Sequence, residues 1–197
     1  MVADFHYQHM TVEEYLELDQ NSPDAKYEYI DGTVYTLRDP VSLAGGTLAH
    51  ARIALNLAMM CDRLLAGSSC QVFTSDVRVQ LSAARYVYPD ITISCEPTDW
   101  DEDTIYALRV IIEVLSPSTE AYDRGKKFVC YQQLESLQEY VLVSVLQQTI
   151  EVFTRSGDSW QYHCYHAGAS AQLHSIAISL TMSEVYARVA MDHDSTR

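Results

Sequence analysis

Glu113 stands inside "RVIIEVLSPS" (109–118), where Val110, Ile111, Ile112, Val114 and Leu115 are apolar and mostly β-branched. Such a run reads as a strand buried on both faces. An unpartnered carboxylate there would cost on the order of several kcal/mol, so Glu113 must be protonated, paired or bound to a cation. Asp90, which follows Pro89 in "YVYPDITIS", is a second acid in an apolar strand setting. The interval between them, about twenty residues, accommodates one connection and an adjacent strand. If the strands pair, the two carboxylates converge, and they repel unless a proton or a cation lies between them. Mg²⁺ is held in this way, by one or two carboxylates with retained waters and substrate phosphate oxygens. Such an ion lowers the pKa of a bound water and stabilises a pentavalent phosphorus.

A cation follows on the next helical segment. Asp123, Lys127, Tyr131 and Leu134 recur at i, i+4, i+8 and i+11, so they share a face. Tyr131 and Leu134 draw that face toward the sheet, which brings Lys127 with them, to orient a water or neutralise developing charge. Blander readings stay open beside these. Glu113 can be satisfied by a structural arginine or by backbone amides. Pro89-Asp90 can be an ordinary turn. Asp123 and Lys127 can form a plain helix pair worth about 0.2–0.5 kcal/mol.

The elements that must position these residues follow from pattern. Thr11 with Glu14 is a capping box, so a short helix opens at "TVEEYLELDQ". "KYEYIDGTVYTL" is a hairpin turning at Asp31-Gly32. "TLAHARIALNLAMMCDRLLAG" places His50, Ile53, Leu57, Met60 and Leu64 on one helical face, and Gly67 stops the helix. "CQVFTSDVRVQL" and "YVYPDITISC" read as one strand each, and "RVIIEVL" as the most buried. A helix is expected from about Ser118 to Leu134. Strands follow at "EYVLVSV", "TIEVFTR" and "WQYHCYH", and a closing helix at "TMSEVYARVA" is capped by Thr181 and Glu184. The order predicts an α/β (α+β) fold, a central mixed β-sheet flanked by helices. It forms a single domain over 1–197, with a core from about 11 to 188 and a frayed tail over 189–197.

The 197 residues suffice for one substantial core. No apolar run reaches the roughly 20 residues of a membrane span, so no membrane partner is expected. "MVADFHYQHM" lacks the basic and apolar regions of a signal peptide. Five scattered cysteines with no CxxC pair argue against structural zinc and against a disulfide framework, and favour a reduced, cytoplasmic chain. The net charge of −14 argues against a protein that coats nucleic acid. Arg78, Arg85, Arg109, Arg124 and the lysines of "DRGKKF" nevertheless fall mid-chain and could form a local basic surface. The pairs His6/His9 and His163/His166 are poor metal ligands, the first terminal and the second pointing to opposite strand faces.

"YPDITI", "IIEVLSPST" and "DRGKKFVCY", after an early "YEYIDG", closely resemble the Uma-two family. That domain of unknown function is placed in the restriction-endonuclease-like PD-(D/E)XK superfamily. The resemblance runs from about "TVEEYL" to "TIEVF". It implies a restriction-endonuclease-like fold and metal-dependent cleavage of DNA phosphodiester bonds. Asp90 matches the first acid and Glu113 the second, both as ligands of Mg²⁺ or Mn²⁺, with the Val114 carbonyl as a third ligand. The superfamily's strand lysine is missing, because the position two after Glu113 is Leu115. In the Uma-two pattern the lysine lies on the following helix, where Lys127 fits as the third catalytic residue. Asp123 and Tyr131 match the same helix. Glu28 matches an early family acid, and His50 a histidine with a structural or phosphate-facing role.

The resemblance therefore points to a metal-dependent endodeoxyribonuclease with weak, salt-sensitive DNA affinity. A homodimer is expected, and the Tyr-rich C-terminal strands are one surface for it. The alternative is a catalytically silent nuclease-fold module acting in protein binding or dimerisation. A third reading is hydrolysis of a phosphoester other than DNA.

Overall fold

A computed structural model describes residues 8–22, 25–38 and 47–190. Its helices are α1 (Val12–Gln20), α2 (Leu48–Leu64), α3 (Glu120–Tyr122), α4 (Phe128–Gln132) and α5 (Met182–Val185). A π-helical turn, Asp123–Lys127, joins α3 to α4. The principal sheet contains β4 (Gln71–Thr74), β7 (Ile91–Ser94), β9 (Val110–Leu115), β10 (Glu139–Ser144), β11 (Thr149–Ser156) and β12 (Ser159–His166). Its spatial order is β12-β11-β10-β9-β7-β4, with β9 and β10 parallel and the other pairs antiparallel. A second six-stranded sheet is built from β1 (Gln8–His9), β2 (Lys26–Ile30), β3 (Thr33–Arg38), β5 (Arg78–Ser82), β6 (Arg85–Val87) and β8 (Thr104–Ile105). A hairpin of β13 (Ser170–Leu173) and β14 (Ile178–Thr181) completes the fold.

The mixed sheet between helices is the architecture expected, and α1 carries its capping box. The turn between β2 and β3 puts Asp31 at φ 51° and Gly32 at φ 89°, as a two-residue hairpin turn requires. Two apolar runs, however, do not form single strands. "CQVFTSDVRVQL" breaks at Ser75-Asp76 into β4 and β5, which lie in different sheets. "YVYPDITISC" breaks at Tyr88-Pro89 into β6 and β7, again in different sheets. Proline has no amide hydrogen to extend a ladder, so the chain leaves one sheet there and enters the other. Asp90 stands at that crossing. The cap expected at Thr181 is also absent: its side chain makes no cap bond, and Glu184 pairs with Arg63 instead.

β9 divides the core. Val110, Ile112 and Val114 pack with Ile53, Leu57 and Met60 of α2. Ile111 and Leu115 face the other way, into a cluster with Tyr131, Tyr140 and the second sheet's Ile30, Val79 and Val87. Strand alternation puts Glu113 on that second face.

The expectation of no disulfide is corrected. Cys70 and Cys95 are bonded to each other. The antiparallel register Gln71↔Ser94, extended by one residue, sets them opposite, and sequence spacing does not reveal such a pairing. Cys61, Cys130 and Cys164 are free. The bond closes a loop of 25 residues, so reduction is expected to cost about 3 kcal/mol of stability. A lower urea midpoint in a phosphine reductant, with no reductant effect in Cys70→Ser, is the check.

Candidate active site

β7 and β9 run antiparallel with Ile91 opposite Ile112. One step further along this register, Asp90 faces Glu113. The two acids are locked together through main chain: Val114 N donates to Asp90 Oδ2 at 2.8 Å, and Asp90 N donates to Glu113 Oε2 at 3.2 Å. The side chains expected to converge therefore do so, on the same face of neighbouring strands.

Lys127 closes the site from the helical side. Its Nζ lies 2.7 Å from Glu113 Oε1, 3.0 Å from Glu28 Oε1 and 3.6 Å from Asp123 Oδ1, and only 3% of its side chain is exposed. Tyr131 Oη donates to the same Glu113 Oε1 at 2.9 Å. The π turn makes this possible. In an α-helix four residues overshoot one turn by about 40°, so Asp123, Lys127 and Tyr131 would drift around the axis. A wider turn over Asp123–Lys127 takes up part of the drift, and all three side chains are buried on one face. Gly125 inside this segment, a poor helix former, is the sequence signal for the irregularity.

Glu28 comes from β2 of the second sheet and is fully buried. Its Oε1 accepts from Tyr88 N at 3.0 Å. Its Oε2 is buried without a hydrogen bond of normal geometry, although the Tyr122 hydroxyl interacts with the same carboxylate. The sequence points to Glu28 without indicating that it shares an ammonium with Glu113. His50, in the first turn of α2, lies with Nε2 3.3 Å from Asp90 Oδ2, and its ring also bonds the Val114 main chain. His50 and Asp90, with side chains 22% and 20% exposed, are the open members of the cluster.

Three carboxylates thus surround one ammonium, with Asp90 beside Glu113. Burial pushes the Glu113 carboxyl up to about 8, against the opposing pull of Lys127. Burial likewise raises Asp123 against Lys127. Burial works against a charged Lys127, but Glu113 and Glu28 outweigh it and hold the ammonium well above its ordinary range. For His50, burial is outweighed by Asp90, and the ring's pKa is raised. A raised Glu113 means that the folded chain binds more protons than the unfolded one between about 4.5 and about 8. Stability from this group is full below that window and lost as pH rises through it. Asp123 and His50 act in the same sense. In chelator, the urea midpoint is expected to fall from pH 5 to pH 8, and Glu113→Gln to flatten the slope.

Among the described residues no group of three His, Cys, Asp or Glu side chains is arranged to hold a metal ion. Mg²⁺ does not need such a cage, because one or two carboxylates suffice beside waters and phosphate oxygens. Asp90 and Glu113 supply those two. The surplus of buried acid over base is a setting that a dication would neutralise.

The mid-chain cations do not form a free basic surface. Arg78 pairs with Asp19 and Asp103, Arg85 with Asp31, and Arg124 with Glu120 and Glu151. Lys126 bonds the Tyr35 hydroxyl. A cleft lined by Cys95, Asp99, Arg109 and Ser136 lies toward the other end of β9 and contains none of the cluster.

Comparison with known proteins bears on family and fold. The family model Uma2, described as putative restriction endonuclease, matches residues 12–183. An uncharacterized protein of Synechocystis sp. (strain PCC 6803), slr1290, is 33% identical over 184 residues, covering 92% of this chain and 93% of that one. A second from the same organism, sll1609, is 28% identical over 153 residues, covering 76% and 82%. The crystal structure of a putative nuclease belonging to DUF820, from Anabaena variabilis, superposes with a TM-score of 0.69. It is 18% identical and is matched over 90% of this chain and 97% of that one, a likeness of fold.

Proposed function

We propose that this chain, which belongs to the Uma2 family of putative restriction endonucleases, hydrolyses DNA phosphodiester bonds with a divalent ion held by Asp90 and Glu113. The observation that carries the reading is the pair of facing acids, Asp90 just before β7 and Glu113 on β9, with the Lys127 ammonium 2.7 Å from Glu113. Mg²⁺ or Mn²⁺, bound by these carboxylates and the Val114 carbonyl, would supply an activated water and neutralise charge on the phosphoryl oxygens.

The chain's own residues do the rest. Lys127 and Tyr131 hold Glu113 Oε1, while the Asp90 amide holds Oε2, so the carboxylate keeps one orientation. The Val114 amide fixes Asp90 in the same way. Glu113 and Glu28, with a smaller pull from Asp123, keep Lys127 protonated at neutral pH. His50, partly exposed beside Asp90, is the member placed to meet a phosphate.

Because the nearby arginines are already paired, we expect DNA affinity to be weak and strongly reduced by salt. A cytoplasmic setting goes with a DNA substrate, and there Cys70 and Cys95 would be kept as thiols. The second reading is a catalytically silent nuclease-fold module. It draws support from the closure of the cluster, in which the side chains of Glu113 and Lys127 are only 4% and 3% exposed.

Supercoiled and single-stranded DNA incubated at low salt with Mn²⁺ or Mg²⁺ separate the two. Nicking that stops in chelator supports the enzyme. Absence of both ion binding by calorimetry and nicking removes it in favour of the silent module.

A further inference from the structure

α2 buries one face and leaves the other bare. Ile53, Leu57, Met60 and Cys61 point into the core. On the far side Leu48 is 91% exposed, Leu55 47% and Met59 64%. Scattered apolar residues on a surface need no explanation, but these fall on one stripe. Leu48, Arg52, Leu55, Met59 and Asp62 are spaced by alternating steps of four and three, the 3.5-residue repeat of a helix–helix seam.

The stripe is self-complementary about Leu57. Leu55 and Met59 are equidistant from that point, and so are Arg52 and Asp62. Among the described residues neither Arg52 nor Asp62 forms an ion pair within the chain, whereas Arg63, Arg78, Arg85 and Arg124 all do. We propose that the outer face of α2 is a two-fold interface between two copies of this chain, with the helices packed antiparallel about Leu57. Leu55 then meets the partner's Met59, and Arg52 meets the partner's Asp62, each contact occurring twice. The parallel arrangement is disfavoured because it sets Arg52 on the partner's Arg52 and Asp62 on the partner's Asp62.

A single helix pair buries less than the roughly 1,600 Å² of a standard interface, so the dimer is a dissociable one with affinity in about the micromolar range. The pairing stands on the helix alone and does not require nuclease activity. It has a consequence for a nuclease. His50 lies seven residues from the centre, so two copies of it are about 21 Å apart along the helix axis. His50 is on the same side of the helix as the core residues Ile53 and Leu57, so the two sites would flank the helix pair rather than meet across it.

Sedimentation velocity from about 1 to 200 μM tests this on the full chain. The wild type is expected to pass from monomer to dimer across that range. Leu55→Glu with Met59→Glu, both at exposed positions, should weaken association at least about 100-fold without changing the melting temperature. Arg52→Asp alone should weaken it, and Arg52→Asp combined with Asp62→Arg should restore it to within about 3-fold. A wild type that stays monomeric at 200 μM, or a dimer indifferent to Leu55 and Met59, overturns the interface. Failure of the charge exchange to restore association overturns the antiparallel pairing.

Discussion

Lys127→Met is expected to lower the stability of the folded chain by about 3–5 kcal/mol. The ammonium is the common partner of Glu113, Glu28 and Asp123, whose carboxylates have almost no access to water. Methionine preserves much of the stem's volume, so the loss comes from stranding the acids. The acids must then take up protons or admit water, and either costs free energy. Guanidine or urea unfolding at pH 7 measures the effect. Lowering the pH to about 5, where protons can replace the missing charge, should recover part of it. Pairing Lys127→Met with Glu113→Gln should recover part as well, because the double variant removes both members of the closest ion pair. Full stability in the single variant would mean that Lys127 is not charged in the fold.

The second large effect is on chemistry. Asp90→Asn should leave stability within about 1 kcal/mol of wild type, because the amide oxygen can still accept from Val114 N. It removes one of the two carboxylates to which the proposed reaction assigns a dication. Loss of a group that merely orients a metal ligand costs about 10–100-fold, so loss of a ligand should cost more than about 100-fold in Mn²⁺ affinity and in DNA nicking. Calorimetry and a plasmid assay read the two quantities separately. An Asp90→Asn protein that binds and nicks as the wild type does would remove the proposed reaction.

Three members of the candidate site were legible because each violates the pattern around it. A carboxylate among isoleucines, an acid after a proline and a lysine on a core-facing helical stripe all stand out in a single sequence. What the sequence hid depends on relations between distant segments. The two strand-like runs look continuous, since hydrophobic pattern does not say which sheet a residue joins, and only Pro89 marks a crossing. The Cys70–Cys95 bond depends on the register of β4 against β7. The π turn depends on how much rotation the helix must absorb to keep three polar side chains inward. Glu28 could be matched to a family acid, but its contact with Lys127 arises only where the second sheet meets the first.

That last contact bears on how the chain folds. Glu28 and Glu113 belong to different sheets, and Lys127 is enclosed only when both are in place. Pairings this remote along the chain close late, after local helices and hairpins have formed. The cluster is therefore a latch set near the end of folding rather than a seed for it. Substitutions in it should hasten unfolding while leaving the refolding rate nearly untouched.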